Sequence, residues 1–434
     1  MTGPRPSPAT GAQLLDAGEL GLGRGESRQA FELLRRAAQV GVDDVHLQRL
    51  ASAYALAARY LGRHGEVVGW LEEQIAHLPL VPEARLDLSR RAALLRARIT
   101  AYCQLDVRRV LDHIDEALVA AELAGDESAI ASVLSHAAFA AYRRGDPAAA
   151  HRWATEAAER TYGSHAAVYD ATRARLFAAT AAGDLEAALN LSIKCRALAR
   201  DLGLTAEAAH ESNNIAESYL ELGCPSEARD CAEQALKLAC ASGHHAVEAH
   251  AGMLAAVATA EIGDLDQALA AFDALRVHGH DRLQAVDAAC AHSYWLIERS
   301  AAGDVRRARE IALSALTLAS DIGVESRLTG LHATIARSYA REGIDDDARA
   351  ALEAARLVAD RATLAAQSLL ALAAAEVLPV TEPKRQVVLN HARARVLRAA
   401  ERREDPHAYC NQVRLNRRLL ELSGGVPTDL PRSQ

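Results

Sequence analysis

Six of the seventeen histidines fall within one stretch of 49 residues, and imidazole is a side chain that binds metals and transfers protons near neutral pH. They are His244, His245, His250, His278, His280 and His292. A metal site needs three or four ligands about 2.1 Å from one ion. His244 and His245 fall in one predicted loop, and His278 and His280 fall in the next. Because neighbouring helices lie roughly 10 Å apart, the two loops are too far apart to share one ion. We therefore expect surface histidines here and no metal site.

Two further runs resemble chemical motifs. Gly21-Leu22-Gly23-Arg24-Gly25 looks like part of a phosphate-binding loop, but no strand precedes it. Asp345, Asp346 and Asp347 could hold a cation, yet acidic residues are also favoured in the first turn of a helix by its dipole. Neither a Walker motif, a nucleophile elbow nor a His-Glu-x-x-His helix occurs. The sequence predicts no catalytic residue and no cofactor.

Composition narrows the class of protein. Half of the residues are apolar but only 4% are aromatic, and Ala and Leu, which favour helices, carry the excess. The net charge of -8 argues against a nucleic-acid partner. Because no window holds eighteen consecutive apolar residues, we expect a cytoplasmic protein without a membrane partner. The seven cysteines include no Cys-x-x-Cys pair, so we interpret them as free thiols that pack as small apolar residues in the core.

A repeat of about forty residues organises the chain. Glycine, usually followed by an acidic residue, recurs in one register, and the positions are Gly25, Gly65, Gly145, Gly183, Gly223, Gly263, Gly303 and Gly343. Leu105-Asp106 fills the gap in this series, and forty residues beyond the last glycine lies Pro383. A fixed period of this length is the signature of a stacked array. Glycine adopts the left-handed conformation that ends a helix, and the acid can cap the next helix, so each pair predicts the turn inside a helical hairpin.

Small residues stand at two further positions of each repeat. The fifth residue after the turn is an alanine in most repeats, as at Ala188 and Ala268, and so is the twelfth, as at Ala235. Seven residues are about two helical turns, so both positions lie on one face, where small side chains let helices approach closely. The sequence predicts an all-α right-handed solenoid of about ten hairpins over residues 12–422, with disordered tails at 1–11 and 423–434.

The turn glycine, its acid and the two small positions resemble the tetratricopeptide repeat family. The long period is similar to the repeat regions of bacterial signal-transduction regulators of the maltose-activator type, and so is the tail segment Glu404-Asp405-Pro406 with Asn416-Arg417. The ATPase and helix-turn-helix parts of such regulators do not occur in this sequence. The resemblance therefore implies a protein- or peptide-binding scaffold in bacterial signalling or transcriptional regulation, with no enzymatic activity carried across.

The first helices of such repeats imply a concave surface on which a partner binds. Positions ten, nine, six and two residues before each turn glycine should face inward, and around the central repeats they include Arg173, Phe177, Asn213, Asn214, Glu217 and Tyr294. His250 is a further inward candidate beside them. Asparagine is a poor residue in mid-helix, and its amide suits it to holding an extended peptide backbone. The alternative is that the two asparagines bond to a neighbouring helix or face water.

The charges of the chain leave two questions open. Arg63, Arg143 and Arg341 stand two residues before their turns, whereas Glu221 and Glu261 stand there in the central repeats. Either the groove recognises the charge of its ligand through these residues, or the arrangement arose by chance on a surface rich in arginine and glutamate. The stretch 382–421 carries a local excess of positive charge, which we interpret as solvated capping helices. Two other functions remain as alternatives: a repeat-built phosphatase or enzyme acting on a signalling partner, and a nucleic-acid binder that uses these basic helices.

Overall fold

The computed structural model describes residues 9–79, 85–161, 163–275, 281–427 and 430, and this part of the chain contains helices and no strand. The helices are α1 Gly11–Gly23, α2 Ser27–Val40, α3 Leu47–Leu61, α4 His64–Ala76, α5 Arg85–Leu105, α6 Val107–Ala124, α7 Glu127–Arg143, α8 Pro147–Glu159, α9 His165–Ala182, α10 Leu185–Asp201, α11 Thr205–Leu222, α12 Pro225–Ser242, α13 His245–Ile262, α14 Leu265–Ala274, α15 Arg282–Arg299, α16 Asp304–Asp321, α17 Glu325–Arg341, α18 Asp345–Leu357, α19 Leu364–Val377, α20 Pro383–Ala400, α21 Pro406–Asn411 and α22 Arg414–Leu422.

Helices α1 to α20 form ten consecutive antiparallel hairpins, which confirms the predicted all-α solenoid. Gly183, Gly223 and Gly263 end the first helices of their hairpins, all with positive φ. Asp106 caps α6 by accepting the backbone N–H of Arg108, so the repeat without a glycine also turns where predicted. Pro383 is the first residue of α20.

The predicted turn at Gly65 is wrong. Helix α3 ends at Gly62, whose φ is 70°, and α4 already begins at His64, so Gly65 lies inside α4. Gly62 also packs directly against Asp281, and a Cβ there would lie 2.9 Å from the Cβ of that residue. A left-handed conformation and a close approach both require glycine, and these two conditions place the turn at Gly62.

The alanines five and twelve residues after the turns lie between helices, as predicted. Ala228, Ala268 and Ala308 are fully buried, and so are Ala157 and Ala235. Asp266 on the same helix as Ala268 has a side chain that is 88% exposed. The small residues therefore mark the packed face of each second helix, and the acids mark its outer face.

The superhelix closes on itself. Backbone and side-chain contacts join residues about 215 apart in sequence, a little more than five repeats: Ser27 Oγ donates to the carbonyl of Ser242, and Arg108 Nη2 donates to the carbonyl of Asp321. Near the C-terminus, Arg403 Nη2 donates to the carbonyl of Gly183 over 2.9 Å. We expected each repeat to touch only its neighbours, which would leave the concave surface open. Successive turns instead contact each other, so that surface becomes an interior.

One ionic contact lies at the centre of this closure, between α3 and α11. Arg59 donates two hydrogen bonds of 3.0 Å to the two carboxylate oxygens of Glu207, and Glu207 is buried. Beside it, Tyr60 stacks on His244 with ring centroids 4.4 Å apart. Arg59 and Arg173 hold the pKa of Glu207 well below its usual range, despite the opposing effect of burial. We call the set of contacts between successive superhelical turns the seam.

The ends of the chain are ordered as far as they are described. Thr10 caps α1 through a reciprocal pair of hydrogen bonds with Gln13. At the other end, the N–H of Gly425 donates to the carbonyl of Leu420, and Val426 and Leu430 pack on the C-terminal core. The remainder of the predicted tails, residues 1–8, 428–429 and 431–434, lies outside the described residues. None of the helices that the structure describes is long and apolar enough to cross a membrane.

Replacing Arg59 by Met should lower the free energy of unfolding by about 3–5 kcal/mol, because the buried carboxylate of Glu207 would lose its partner. The control is Arg229→Met at an exposed position of α12, which should change stability little. The double change Arg59→Met with Glu207→Leu should recover part of the loss. Urea unfolding followed by circular dichroism measures all three, and equal stabilities for Arg59→Met and Arg229→Met would contradict the seam.

Candidate interior binding site

The inner face of the closed superhelix forms a partly open cavity of about 540 Å³. Its wall consists mainly of the first helices of consecutive repeats, from α7 to α19, and the C-terminal helices α21 and α22 contribute Tyr409, Leu415 and Asn416. Met253, Leu254 and Trp295 provide apolar surface. A smaller cavity of about 80 Å³ adjoins it and shares part of its lining. Pockets of 300–1,000 Å³ with apolar walls and a few polar groups are typical of ligand sites.

The structure brings most of the predicted binding residues to these two cavities. Glu217, His250 and Tyr294 line the larger cavity. Arg173, Phe177 and Asn214 line the smaller one, together with Glu217 and His250. The count back from the turn glycines therefore identified the inner face of the superhelix.

Asn213 is the exception, and its predicted inward position is corrected. Its side chain is fully buried between α11 and α13, where Nδ2 donates a hydrogen bond of 3.2 Å to the carbonyl of Val247. It lies in the lining of neither cavity. Since consecutive helical positions are about 100° apart, Asn213 and Asn214 cannot both face inward. Asn213 joins two neighbouring first helices.

Asn214 faces the smaller cavity but is also part of a buried polar cluster. Its Nδ2 donates to Oε2 of Glu211 over 2.8 Å, and the hydroxyl of Tyr169 donates to the other oxygen over 2.9 Å. The guanidinium of Arg173 lies 3.3 Å from the same carboxylate. Burial raises the pKa of Glu211, and these three neighbours oppose the rise. Asn214 and Arg173 therefore hold a buried carboxylate as well as lining the cavity.

The cavity wall contains a closely paired group of charges. Asp287 accepts from Arg143 over 3.0 Å and from Arg327 over 2.9 Å, and both arginines hold its pKa well below the usual range. Arg327 also lies 4.0 Å from Glu217. The basic charge of Arg143, predicted at one end of the groove, is thus used inside the protein and is not free for a ligand.

Two glutamates in the wall were not among the predicted binding residues. Glu221 has its pKa raised to about 7 by burial and by the nearby charge of Glu217. Burial raises the pKa of Glu261 to about 7, although Arg414 opposes it. Both stand two residues before a turn glycine, a position that the sequence count had already marked as inward. The arginines at the equivalent position of other repeats have ionic partners, whereas Glu221 and Glu261 have no ion pair within 4 Å among the described residues. Nothing in the sequence indicated this difference.

Part of the basic C-terminal stretch faces inward, which corrects the interpretation of its charge in part: Lys384, Arg398, Arg402 and Arg417 are exposed, but Arg414 and Arg418 are not free. Arg418 lies 2.9 Å from Glu298, and Arg414 lies 3.5 Å from the same carboxylate, which is almost fully buried. Arg337, fully buried on α17, also contacts Glu298 over 2.7 Å. Helix α22 therefore faces inward and closes the C-terminal end of the cavity by ion pairs as well as by buried leucines.

Metal and nucleophile chemistry find no support in the described ranges. No group of three or more His, Cys, Asp or Glu side chains there could hold a metal ion. His278 and His280 lie outside the described residues, whereas His292 stacks on Phe272. Burial raises the pKa of the cavity-lining thiol of Cys290 to about 12, which disfavours the reactive thiolate.

Comparisons with known proteins identify the fold and no family. No protein family and no curated protein matches this chain. Among solved structures, a Rap protein complexed with Competence and Sporulation Factor is 14% identical, with a TM-score of 0.50 over 81% of this chain and 99% of that chain. The APC/C hetero-tetramer Cut9-Hcn1 is also 14% identical, with a TM-score of 0.50 over 96% of this chain and 78% of that chain.

These likenesses show the fold alone. The chain has a tetratricopeptide-type fold. That much of the expected resemblance is confirmed, because the neighbours are helical repeat proteins of this type. The finer resemblance to maltose-activator-type regulators remains a prediction.

Replacing Asn213 by Ala should lower the free energy of unfolding by about 0.5–1.5 kcal/mol, because the hydrogen bond that joins α11 to the carbonyl of Val247 on α13 would be lost. Asn190, exposed on α10, is the control, and Asn190→Ala should leave stability unchanged or raise it slightly. Thermal and urea unfolding measure the difference. If Asn213→Ala were as stable as Asn190→Ala, the assignment of Asn213 to the helix interface would be wrong.

Proposed function

We propose that this protein binds a peptide or an exposed segment of a partner protein inside its superhelix. The observation that carries the proposal is the cavity of about 540 Å³, which is lined by the inward faces of consecutive first helices. Apolar walls supply contact area, and the polar groups between them supply orientation and specificity. Because one site draws on residues from many repeats, a ligand there would stabilise the contacts between them.

The fold supports this proposal. One solved neighbour is a Rap protein in complex with Competence and Sporulation Factor, so a superhelix of this type can hold such a ligand. At 14% identity the likeness carries no residue of that site to this chain. We place the binding event in bacterial signalling or transcriptional control, in keeping with the resemblance of the repeats to regulator sensor regions.

The arrangement favours binding over catalysis. Arg143, Arg327 and Asp287 are paired with one another and are not free to act on a substrate. Burial raises the pKa of the hydroxyls of Tyr142 and Tyr294, so both remain protonated at neutral pH. These groups can donate hydrogen bonds to a ligand but are poor bases and nucleophiles.

Filling the cavity should abolish binding without unfolding the protein. Ala291 lines the cavity, and Ala291→Phe should reduce ligand retention at least tenfold while leaving the melting temperature within a few degrees. Ala270 is exposed on α14, so Ala270→Phe is the matched control. The assay is affinity selection from a mixture of capped pentapeptides, with retained peptides counted by mass spectrometry.

The proposal fails if the wild-type protein retains no peptide, or if Ala291→Phe retains the same peptides as Ala270→Phe at the same level. A large drop in melting temperature for Ala291→Phe would call for the smaller change Ala291→Leu. The same comparison of retained peptides then decides the outcome.

A further inference from the structure

We propose that the ligand of this cavity is a peptide bearing an arginine, whose guanidinium binds to the acidic part of the wall that contains Glu221 and Glu261. This inference rests on the proposed binding function and adds the charge and the side chain of the ligand. It follows from the charges of the cavity wall, from buried polar atoms without partners, and from the way the chain places its own arginines beside aromatic residues of that wall.

The first argument is the balance of charges in the lining. The two arginines that line the cavity, Arg327 and Arg361, have carboxylate partners: Arg327 pairs with Asp287 over 2.9 Å, and Arg361 lies 3.8 Å from Glu325. Glu221 makes no ion pair within 4 Å among the described residues, and Glu261 makes none either. The wall therefore carries two carboxyl groups without a close cationic partner, whose ionisation is costly in the buried site and would be favoured by a cationic ligand.

The second argument is a set of acceptors aimed at empty space. Oε2 of Glu261 is buried without a hydrogen-bond partner, and so is Nδ1 of His250, whose residue is only 9% exposed. Burial lowers the pKa of His250, so the ring is neutral at pH 7 and one of its nitrogens can accept. Buried polar groups are normally satisfied, and unsatisfied ones inside a cavity point to a missing donor. A guanidinium has five N–H donors.

The third argument is the chain's own use of arginine beside two aromatic residues that line the cavity, Trp295 and Tyr294. Arg414 stacks 5.4 Å from the ring centroid of Trp295 and pairs with Glu298. Arg337 lies 5.8 Å from the ring centroid of Tyr294 and pairs with the same glutamate. Each guanidinium thus lies between an aromatic ring and a carboxylate, an arrangement that suits arginine better than lysine.

The same elements recur in the open part of the cavity, without an arginine. Tyr142 lines it, and the charges of Glu217 and Glu221 contribute to the raised pKa of its hydroxyl. Arg327 is close enough to act on Glu217 and Glu221, but its guanidinium is bonded to Asp287. An incoming arginine would supply a close cationic partner for Glu221, which has no ion pair within 4 Å among the described residues.

The affinity for the arginine peptide should also depend on pH. The groups that face Glu221 are Glu217, Arg327, Arg403 and Tyr409, and burial with Glu217 brings its pKa to about 7. A bound guanidinium would lower that pKa, so binding releases a proton. Affinity for the arginine peptide should therefore rise as pH increases through about 7 and weaken below it.

The experiment uses three pentapeptide mixtures, capped at both ends and differing only in a fixed central residue: arginine, its neutral isostere citrulline, or glutamate. Affinity selection at pH 8 should retain the arginine mixture about tenfold better than the citrulline mixture. Glu221→Gln should remove most of this preference, and Glu233→Gln, an exposed control on α12, should leave it intact. For the wild-type protein the preference should shrink at pH 6.

The possible failures are distinguishable. Retention of none of the three mixtures would overturn the proposed binding function itself. Retention of all three without preference for arginine, or a preference that Glu221→Gln does not change, would leave peptide binding intact and overturn the charge assignment. Unfolding of Glu221→Gln would be seen in its melting temperature, and Glu261→Gln then provides the second variant with the same expected loss.

Discussion

The pairing of Arg59 with Glu207 exemplifies the constraint on which the rest of the structure depends, namely contact between successive turns of the superhelix. A buried carboxylate is stable only with a close, well-oriented cation, and Arg59 supplies two parallel hydrogen bonds from a helix four hairpins away. Further along the seam, Arg143 pairs with the buried carboxylate of Asp287, and Arg403 donates to the backbone carbonyl of Gly183. Because these contacts need definite geometry, they fix the pitch as well as the stability.

Closure changes the nature of the concave surface. In an open solenoid, inward charges would face water, and their pKa values would stay near ordinary ones. Here the opposite turn excludes water, and this burial raises the pKa values of Glu221 and Glu261. Burial acts on Asp287 in the same direction, but Arg143 and Arg327 outweigh it and hold the pKa of Asp287 low. Burial disfavours the ionised form of an unpaired carboxylate in the free protein. For the same reason, a cationic ligand that pairs with this carboxylate would bind more strongly. Binding preference and closure therefore have one physical origin.

The local part of the structure was predictable from the sequence, because it depends on local rules. Turn glycines, proline at the start of α20 and alanines at packed positions all follow from backbone sterics and helix spacing. Gly65 was assigned the turn because its register matched the series, whereas the left-handed conformation and the contact with Asp281 select Gly62. A contact between residues more than 200 apart leaves no mark in a forty-residue period.

The site was predictable in part for the same reason. Counting along each first helix placed Glu217 and Tyr294 on the inner face, since that face is set by the helical repeat. The opposite turn of the superhelix decides which inward charges have a partner. The pairing of Arg143 with Asp287 and the lack of an ion pair at Glu221 could therefore not be predicted from the sequence. Asn213 shows the limit within one helix, because 100° of rotation separates a cavity residue from an interface residue.

Closure of the superhelix is the central claim, and a photo-crosslink across the seam tests it most directly. Gly25, in the first hairpin turn, lies against Ala241 and Ser242. Benzoylphenylalanine in place of the exposed Arg24 should crosslink within one molecule to the segment around residues 239–245, as identified by mass spectrometry. Crosslinks confined to α1, α2 and α3 in the folded monomer would show an open superhelix and contradict both the interior cavity and the charge preference derived from it.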